Sequence, residues 1–285
     1  MRRSKLVLFG VVFSLLSGCG SAGAGAVAGP KSSLSENHDA FPSQTRTDGG
    51  PRRDYRVGAL IYNGVATAFG DVESIIKILN SKGITYQDVS SRELDRMSIE
   101  DLSQFGMIVW PGGYAGQMSG SLEPSTRQRI RQAVHERGVG FVGICAGAFI
   151  AVSPEALKGA DGPEWGLSLL NSETLPYYHL ENEGIEYALV DLNLSVGTLR
   201  GVVWWGGPTL PELPHGVIAR YSDTHEPAVV QTYAGLGNVI LSGPHPEAPR
   251  SWRSKLGLGN SDGLDHEFAG HLFKAALGQE NLIPM

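Results

Sequence analysis

Three short stretches of the 285-residue chain combine residue types that can act on a carbonyl group. The first is Gly143-Ile144-Cys145-Ala146-Gly147, in which a thiol lies among small residues directly after an apolar run. A sharp strand-to-helix turn leaves no room for side chains around a nucleophile, so small residues must flank it. Such a turn also sets the thiol over a helix N-terminus, where the dipole favours the thiolate. The second stretch is Ser242-Gly243-Pro244-His245-Pro246-Glu247. A cysteine nucleophile needs a base within hydrogen-bond reach and a third group to orient that base. His245, with Glu247 two residues on, supplies both from one loop. The third is Pro111-Gly112-Gly113, a glycine pair whose backbone N–H groups can approach and stabilise an oxyanion. Taken singly these signals are weak, because most lone cysteines are small buried core residues and His-x-Glu is common in surface loops. What strengthens them is that each follows an apolar run.

Those runs define the elements that must hold the three stretches. Residues 57–62 (VGALIY), 107–110 (MIVW) and 140–144 (GFVGI) are short and continuously apolar, as in strands covered on both faces. Residues 85–89 form a further expected strand. Residues 71–82 place Val72, Ile75, Ile76 and Leu79 at helical spacing, with acids in the first turn and Gly83 past the end. Residues 124–137 predict a second helix, opened by Pro124 and stopped by Gly138. Strands alternating with helices imply an α/β fold with a doubly wound, mostly parallel sheet and helices on both faces. Beyond residue 159, strand-like runs at 185–190, 201–205, 217–221, 228–233 and 238–242 suggest an antiparallel extension in the C-terminal half, or long insertions on the same sheet, closed by a helix over 263–278. In an open parallel sheet, ligands bind beyond the carboxyl ends of the strands, which is where the chemistry-bearing residues fall.

Composition removes several functions. With 23 basic against 29 acidic residues and a net charge of −6, no polybasic surface is available for nucleic acid. Two cysteines cannot build a disulfide framework or a four-thiolate zinc site. His266 and His271 lie at i, i+5, not the i, i+4 that sets two imidazoles on one helix face, so no metal site is expected there. His38, His179 and His225 have no partner that the sequence identifies. At the N-terminus, Arg2, Arg3 and Lys5 precede an apolar segment from Leu6 to Leu16, too short to span a bilayer core. It ends Leu16-Ser17-Gly18-Cys19, so residues 1–18 are expected to be a signal peptide and Cys19 the lipidated anchor; an ordinary secretory signal is the alternative. Residues 19–55 then form a lipidated cysteine and a Gly-, Ala-, Ser- and Pro-rich flexible tether, with the folded domain over 56–285. The expected location is the bacterial cell envelope, at the outer membrane facing the periplasm if a second membrane exists.

Together, the segments PGGYAGQ (111–117), GVGFVGICAGAFIA (138–151), VVWWGGP (202–208) and NVILSGPHPE (238–247) resemble the class I glutamine amidotransferase superfamily. Within it the chain is most similar to the biotin-protein-ligase N-terminal domain family, over roughly residues 56–280. The resemblance implies a flavodoxin-like sheet, Cys145 as nucleophile, His245 as base, Glu247 as its orienter, and the N–H groups of Gly113 and Ala146 as oxyanion donors. It also places Gly112, Tyr114, Phe149, Trp205, Gly206 and Gly207 at the pocket; Trp204 and Trp205 are expected in its wall, with core ending in a turn as the alternative. True amidotransferases commonly carry Gln where this chain has Phe149. Phe cannot hydrogen-bond an amino-acid head group, so activity on free glutamine is not expected. No segment resembles a biotin ligase catalytic domain or a synthetase that would accept ammonia. The expectation is therefore a membrane-anchored, cofactor-independent thiol hydrolase or amidase acting on a small-molecule or peptide carbonyl. The alternative is a non-catalytic lipoprotein that keeps the fold and pocket for binding.

Overall fold

A computed structural model describes residues 53–153, 166–170, 174–258 and 263–285. The expected signal peptide, Cys19 and nearly all of the tether lie outside the described residues, as does His38. Packing begins slightly before the expected boundary: Arg53 donates to the carbonyls of Ser103 and Phe105, and Tyr55 accepts from Gln279.

The chain alternates strands and helices as the apolar runs require. In order, β1 is Val57–Tyr62, α1 Asp71–Ser81, β2 Tyr86–Val89, α2 Ser91–Leu94, α3 Ile99–Leu102, β3 Phe105–Trp110, α4 Ala115–Gly120, α5 Pro124–His135, β4 Gly140–Ile144 and α6 Ala146–Val152. There follow α7 His179–Asn182, β5 Tyr187–Leu194, β6 Gly197–Trp205, β7 Val217–Tyr221, β8 Pro227–Ala234, β9 Gly237–Ser242, α8 Arg250–Lys255 and α9 His266–Ala276. Capping boxes start two of the short helices: Ser90 with Glu93 opens α2, and Ser98 with Asp101 opens α3.

The nine strands of the described residues form one sheet in the order β2-β1-β3-β4-β9-β8-β7-β5-β6. Pairing is parallel from β2 through β9 and antiparallel from β9 to β6. The order 2-1-3-4 followed by a fifth parallel strand is the flavodoxin-like arrangement. One expectation is corrected here. The run 238–242 belongs to the parallel half, because β9 pairs in parallel with β4; the antiparallel extension comprises only β5 to β8.

Each face of the sheet has its own core. On one side Ile75, Ile78 and Leu79 of α1 pack with Leu272 and Phe273 of α9 against Ile61, Val109, Val142 and Ile240. On the other, Ile130, Ala133 and Val134 of α5 and Ile150 of α6 cover Leu60, Ile108, Phe141 and Leu241. A buried Ile or Leu side chain contributes about 1.5–3 kcal/mol, so these layers hold the strand ends rigidly. The register then aligns three of those ends: Trp110 lies opposite Gly143, and Ile144 opposite Ser242. The residues that leave β3, β4 and β9 at their carboxyl ends (Pro111 to Gly113, Cys145, and Gly243 to Glu247) therefore emerge side by side.

Candidate active site

Cys145 forms the turn between β4 and α6. Its backbone has φ 50° and ψ −104°, a combination costly for a residue with a side chain and found mainly where surrounding structure enforces it. Enforcement is visible on both sides. The Cys145 N–H donates to the Ser242 carbonyl at 2.8 Å, while its own carbonyl accepts from Ala148 and Phe149. A Cβ on Gly143 would stand 2.6 Å from the Gly147 carbonyl oxygen, and one on Gly147 would stand 2.2 Å from that of Trp110. The glycine on either side of the thiol is thus a requirement of close backbone packing.

His245 is fixed by its backbone and by its ring. Its N–H donates to the Val203 carbonyl at 2.7 Å, so β6 of the antiparallel extension holds the loop that follows β9. Nδ1 donates to Glu247 Oε1 at 2.7 Å, and both side chains are buried. The ring packs edge-on against Trp252, centroids 5.1 Å apart. Cys145 is in hydrogen-bond contact with the ring, and the Trp205 carbonyl lies against both the ring and the thiol, which donates to it at 3.4 Å. Burial alone would lower the His245 pKa. The Cys145 sulfur, the Asp71 carboxyl and the Trp205 carbonyl outweigh it, and the net shift is upward. Glu247 is pushed up to about 8 by burial.

The glycine pair is used in two ways. A Cβ on Gly112 would lie 2.5 Å from His245 Cε1, so only glycine lets β3 approach the imidazole. The Gly112 N–H donates to Asp71 Oδ2 at 2.7 Å. Gly113 has φ 146° and bridges to Thr67. No hydrogen bond among the described residues takes up the N–H of Gly113 or of Ala146, so both expected oxyanion donors are unclaimed.

The expected pocket residues separate into distinct groups. Phe149 is half-buried and its ring meets Tyr177 at 4.9 Å; Tyr177, half-exposed, lies close enough to the Cys145 sulfur to feel its charge. Tyr114 projects into solvent. Trp205 contributes its carbonyl to the site while its ring packs between Tyr187 and Trp252. Gly206 supplies a left-handed φ of 64°, and Gly207 allows close contact with the Gly243 backbone. Trp204 does not wall the pocket: it is fully buried, donates to the Gly207 carbonyl and packs against Tyr178. Alternation along β6 explains this, since adjacent strand residues face opposite sides of a sheet.

Sequence reasoning missed one residue at the centre of the site. Asp71 was one of the acids in the first turn of α1, a position that usually faces water beside the helix N-terminus. Instead it is wholly buried against His245 and Glu247. The available signal was its place after β1, on the carboxyl side of the parallel sheet. One ligand-type atom from each of Asp71, His245 and Glu247 lies within 4.8 Å of the others. His245 Nδ1 is committed to Glu247 and Asp71 Oδ2 to Gly112, so the group is a hydrogen-bonded network before it is a cation site.

The remaining histidines lie elsewhere. His266 contacts Ser74 and the Ala248 carbonyl, whereas His271 pairs with Glu280. His179, for which the sequence offered no partner, bonds Glu183 at 2.8 Å and Asp223 at 3.0 Å, and these carboxylates raise its pKa. His225 occupies a left-handed turn between β7 and β8.

No family model matches the chain, and no curated protein sequence matches it. Solved structures are similar to it at low identity. PurLQS from Thermotoga maritima is 18% identical over 75% of this chain and 97% of its own, with a TM-score of 0.48. A glutamine amido transferase from Methylobacillus flagellatus is 14% identical over 81% of this chain and 98% of its own, with a TM-score of 0.43. A beta-galactosidase from Bacillus circulans sp. alkalophilus is 15% identical over 81% of this chain but only 32% of its own, with a TM-score of 0.42.

Proposed function

We propose that the chain is an amidotransferase-like thiol hydrolase or amidase, held at a membrane through a lipidated Cys19. The observation that carries this reading is the buried His245–Glu247 pair with its ring against a thiol on a strained turn. In the reaction, Cys145 Sγ attacks a substrate carbonyl carbon as its proton passes to His245 Nε2, the nitrogen that Glu247 does not engage. Oxygen takes up the displaced electron pair and accepts hydrogen bonds from the N–H groups of Gly113 and Ala146. The carbon–nitrogen or carbon–oxygen bond then breaks, His245 returns its proton to the leaving group, and a thioester remains. Water, deprotonated by His245, cleaves the thioester and restores the thiol.

Phe149 and Tyr177 give the mouth of the site an aromatic lining. A wall of this kind offers no hydrogen bonds to an amino-acid head group, which is the basis for expecting substrates other than free glutamine. Among the described residues no helix is long and apolar enough to cross a membrane. The anchor is therefore proposed on the Leu16-Ser17-Gly18-Cys19 sequence: wild type should sediment with membranes and Cys19→Ala should not.

The reading is tested by incubating the full chain with an activated ester and mapping acyl adducts by mass spectrometry. A thioester on Cys145, formed with a burst of leaving group and absent from Cys145→Ala, is the expected result. An ester that is neither cleaved nor captured, at a thiol that alkylates no faster than free cysteine, would favour the binding alternative.

A further inference from the structure

Asp71 and Glu247 are two acids with no exposed surface, set in hydrogen-bond contact beneath the imidazole. Each has one oxygen in use: Asp71 Oδ2 accepts from the Gly112 N–H at 2.7 Å, and Glu247 Oε1 from His245 Nδ1 at 2.7 Å. Each also has one buried oxygen, Asp71 Oδ1 and Glu247 Oε2, for which the described residues supply no donor. Two bare carboxylates this close, out of water, repel and leave two acceptors unsatisfied. A single proton between them removes both defects.

Apart from the imidazole itself, which when charged lowers the Asp71 pKa, the described surroundings supply no cation that would take the proton's place. Asp265 adds negative charge toward Glu247, and Arg253 is engaged with that aspartate. Lys77 and Arg253 act on His266, which is turned toward Ser74 and the Ala248 carbonyl. The Ser74 hydroxyl donates to the Glu247 main-chain carbonyl and leaves the carboxyl untouched. His245, which Cys145 contacts in turn, is the remaining titratable group facing the pair among the described residues.

We propose that Asp71 and Glu247 hold one proton between them, making Asp71 a positioning residue that fixes Glu247 and confines a single negative charge under His245. In its consequence for catalysis the proposal rests on the thiol-hydrolase reading; the shared proton itself does not. Burial pushes both carboxyls upward; Glu247 raises Asp71 further, while the hydrogen bond with Asp71 lowers Glu247, as expected of a proton carried by one acid and donated to the other. The arrangement has a distinctive consequence. If Glu247 becomes an amide, its –NH2 can donate to Asp71, which then carries the charge. If Asp71 becomes an amide, it donates to Glu247 as the protonated acid did. Only the double amide removes the charge.

The test uses the full chain with Asp71→Asn, Asp71→Val, Glu247→Gln and the double amide variant. The first readout is the infrared carbonyl band of a protonated carboxyl at neutral pH, expected in the wild type and lost in either single amide variant. The second is the titration of His245 by nitrogen-15 NMR. With a neighbouring charge shifting a pKa by about 1–3 units, Glu247→Gln should lower the His245 pKa about a unit further in the Asp71→Asn background than in the wild type. The third is the pH–rate profile of Cys145 alkylation by iodoacetamide, where Asp71→Asn should restore most of what Asp71→Val removes. Absence of the infrared band, or additive effects of the two amides on His245, would overturn the shared proton. So would a divalent cation bound in the purified chain and released by Asp71→Asn. Failure of Cys145 to alkylate in every protein, wild type included, would instead defeat the hydrolase reading, while the infrared and NMR results would still decide the proton.

Discussion

The parallel and antiparallel halves of the sheet contribute to the site in different ways. From the parallel half, consecutive strand ends deliver side chains and N–H groups: Asp71 after β1, Gly112 after β3, Cys145 after β4 and His245 after β9. From the antiparallel half come main-chain contacts, the Val203 carbonyl that holds His245 and the Trp205 carbonyl that receives the thiol. Chemistry is thus concentrated where buried strands end together, and the extension acts as a brace. Substitutions at parallel strand ends should therefore change reactivity, and substitutions in the brace stability alone.

The largest expected effect is at the nucleophile. Cys145→Ala should abolish ester cleavage, by about a thousandfold or more where the triad acts as a unit, with little change in Tm. A residual rate near wild type would move the chemistry elsewhere. Next is Gly112→Ala, where the added methyl meets the imidazole at 2.5 Å. Overpacking of this kind costs about 1–3 kcal/mol, and displacement of the ring should slow Cys145 alkylation about tenfold. Wild-type alkylation in that variant would mean that β3 does not constrain His245. In the brace, Gly207→Ala would bring a methyl 2.0 Å from the Gly243 carbonyl oxygen. It should lower stability by a comparable amount of about 1–3 kcal/mol, read by urea denaturation, with the pH profile of alkylation unmoved.

A smaller effect concerns pH and stability. Glu247, Asp71 and His245 all have folded pKa values above their ordinary ones. The folded chain consequently binds more protons than the unfolded chain from the usual carboxylate range up to about 8 for Glu247. Their stabilising contribution is fully present at acid pH and declines as pH rises, at up to about 1.4 kcal/mol per pH unit for each extra proton held. Denaturation across this range should give falling stability, and Asp71→Asn should flatten the slope. A slope unchanged in Asp71→Asn would assign the retained proton to other groups.

The smallest effect is expected at Phe149. The wild type should release no appreciable ammonia from free glutamine, and Phe149→Gln, half-exposed, should change stability by less than about 1 kcal/mol. Glutaminase activity that vanishes in Cys145→Ala would contradict the aromatic-mouth account.

The same contrast between halves governs what was legible in the sequence. The continuously apolar runs of β1, β3 and β4 marked parallel strands to within two residues, and the glycines around Cys145 marked the turn; the run of β9 marked a strand but not its parallel pairing with β4. The brace was harder. The β5–β6 hairpin runs on through Asp191 to Arg200, where Leu192 and Leu194 alternate with Asp191 and Asn193 instead of forming a continuous apolar run, so its strands extend beyond the runs that marked them. The helices α2 and α3 are one turn each and carry only capping boxes as signals. Asp71 was hidden for another reason. A first-turn acid is ordinary in sequence, and only the pairing of β1 with β3 brings it under His245.

The central claim is that His245 activates Cys145, and the most direct measurement is the rate of Cys145 alkylation by iodoacetamide against pH, in wild type and His245→Ala, with the modified peptide mapped by mass spectrometry. The account predicts wild-type labelling at Cys145 that is faster at neutral pH than that of free cysteine. It predicts a drop of about tenfold or more at neutral pH in His245→Ala. Superimposable profiles for the two proteins would contradict it.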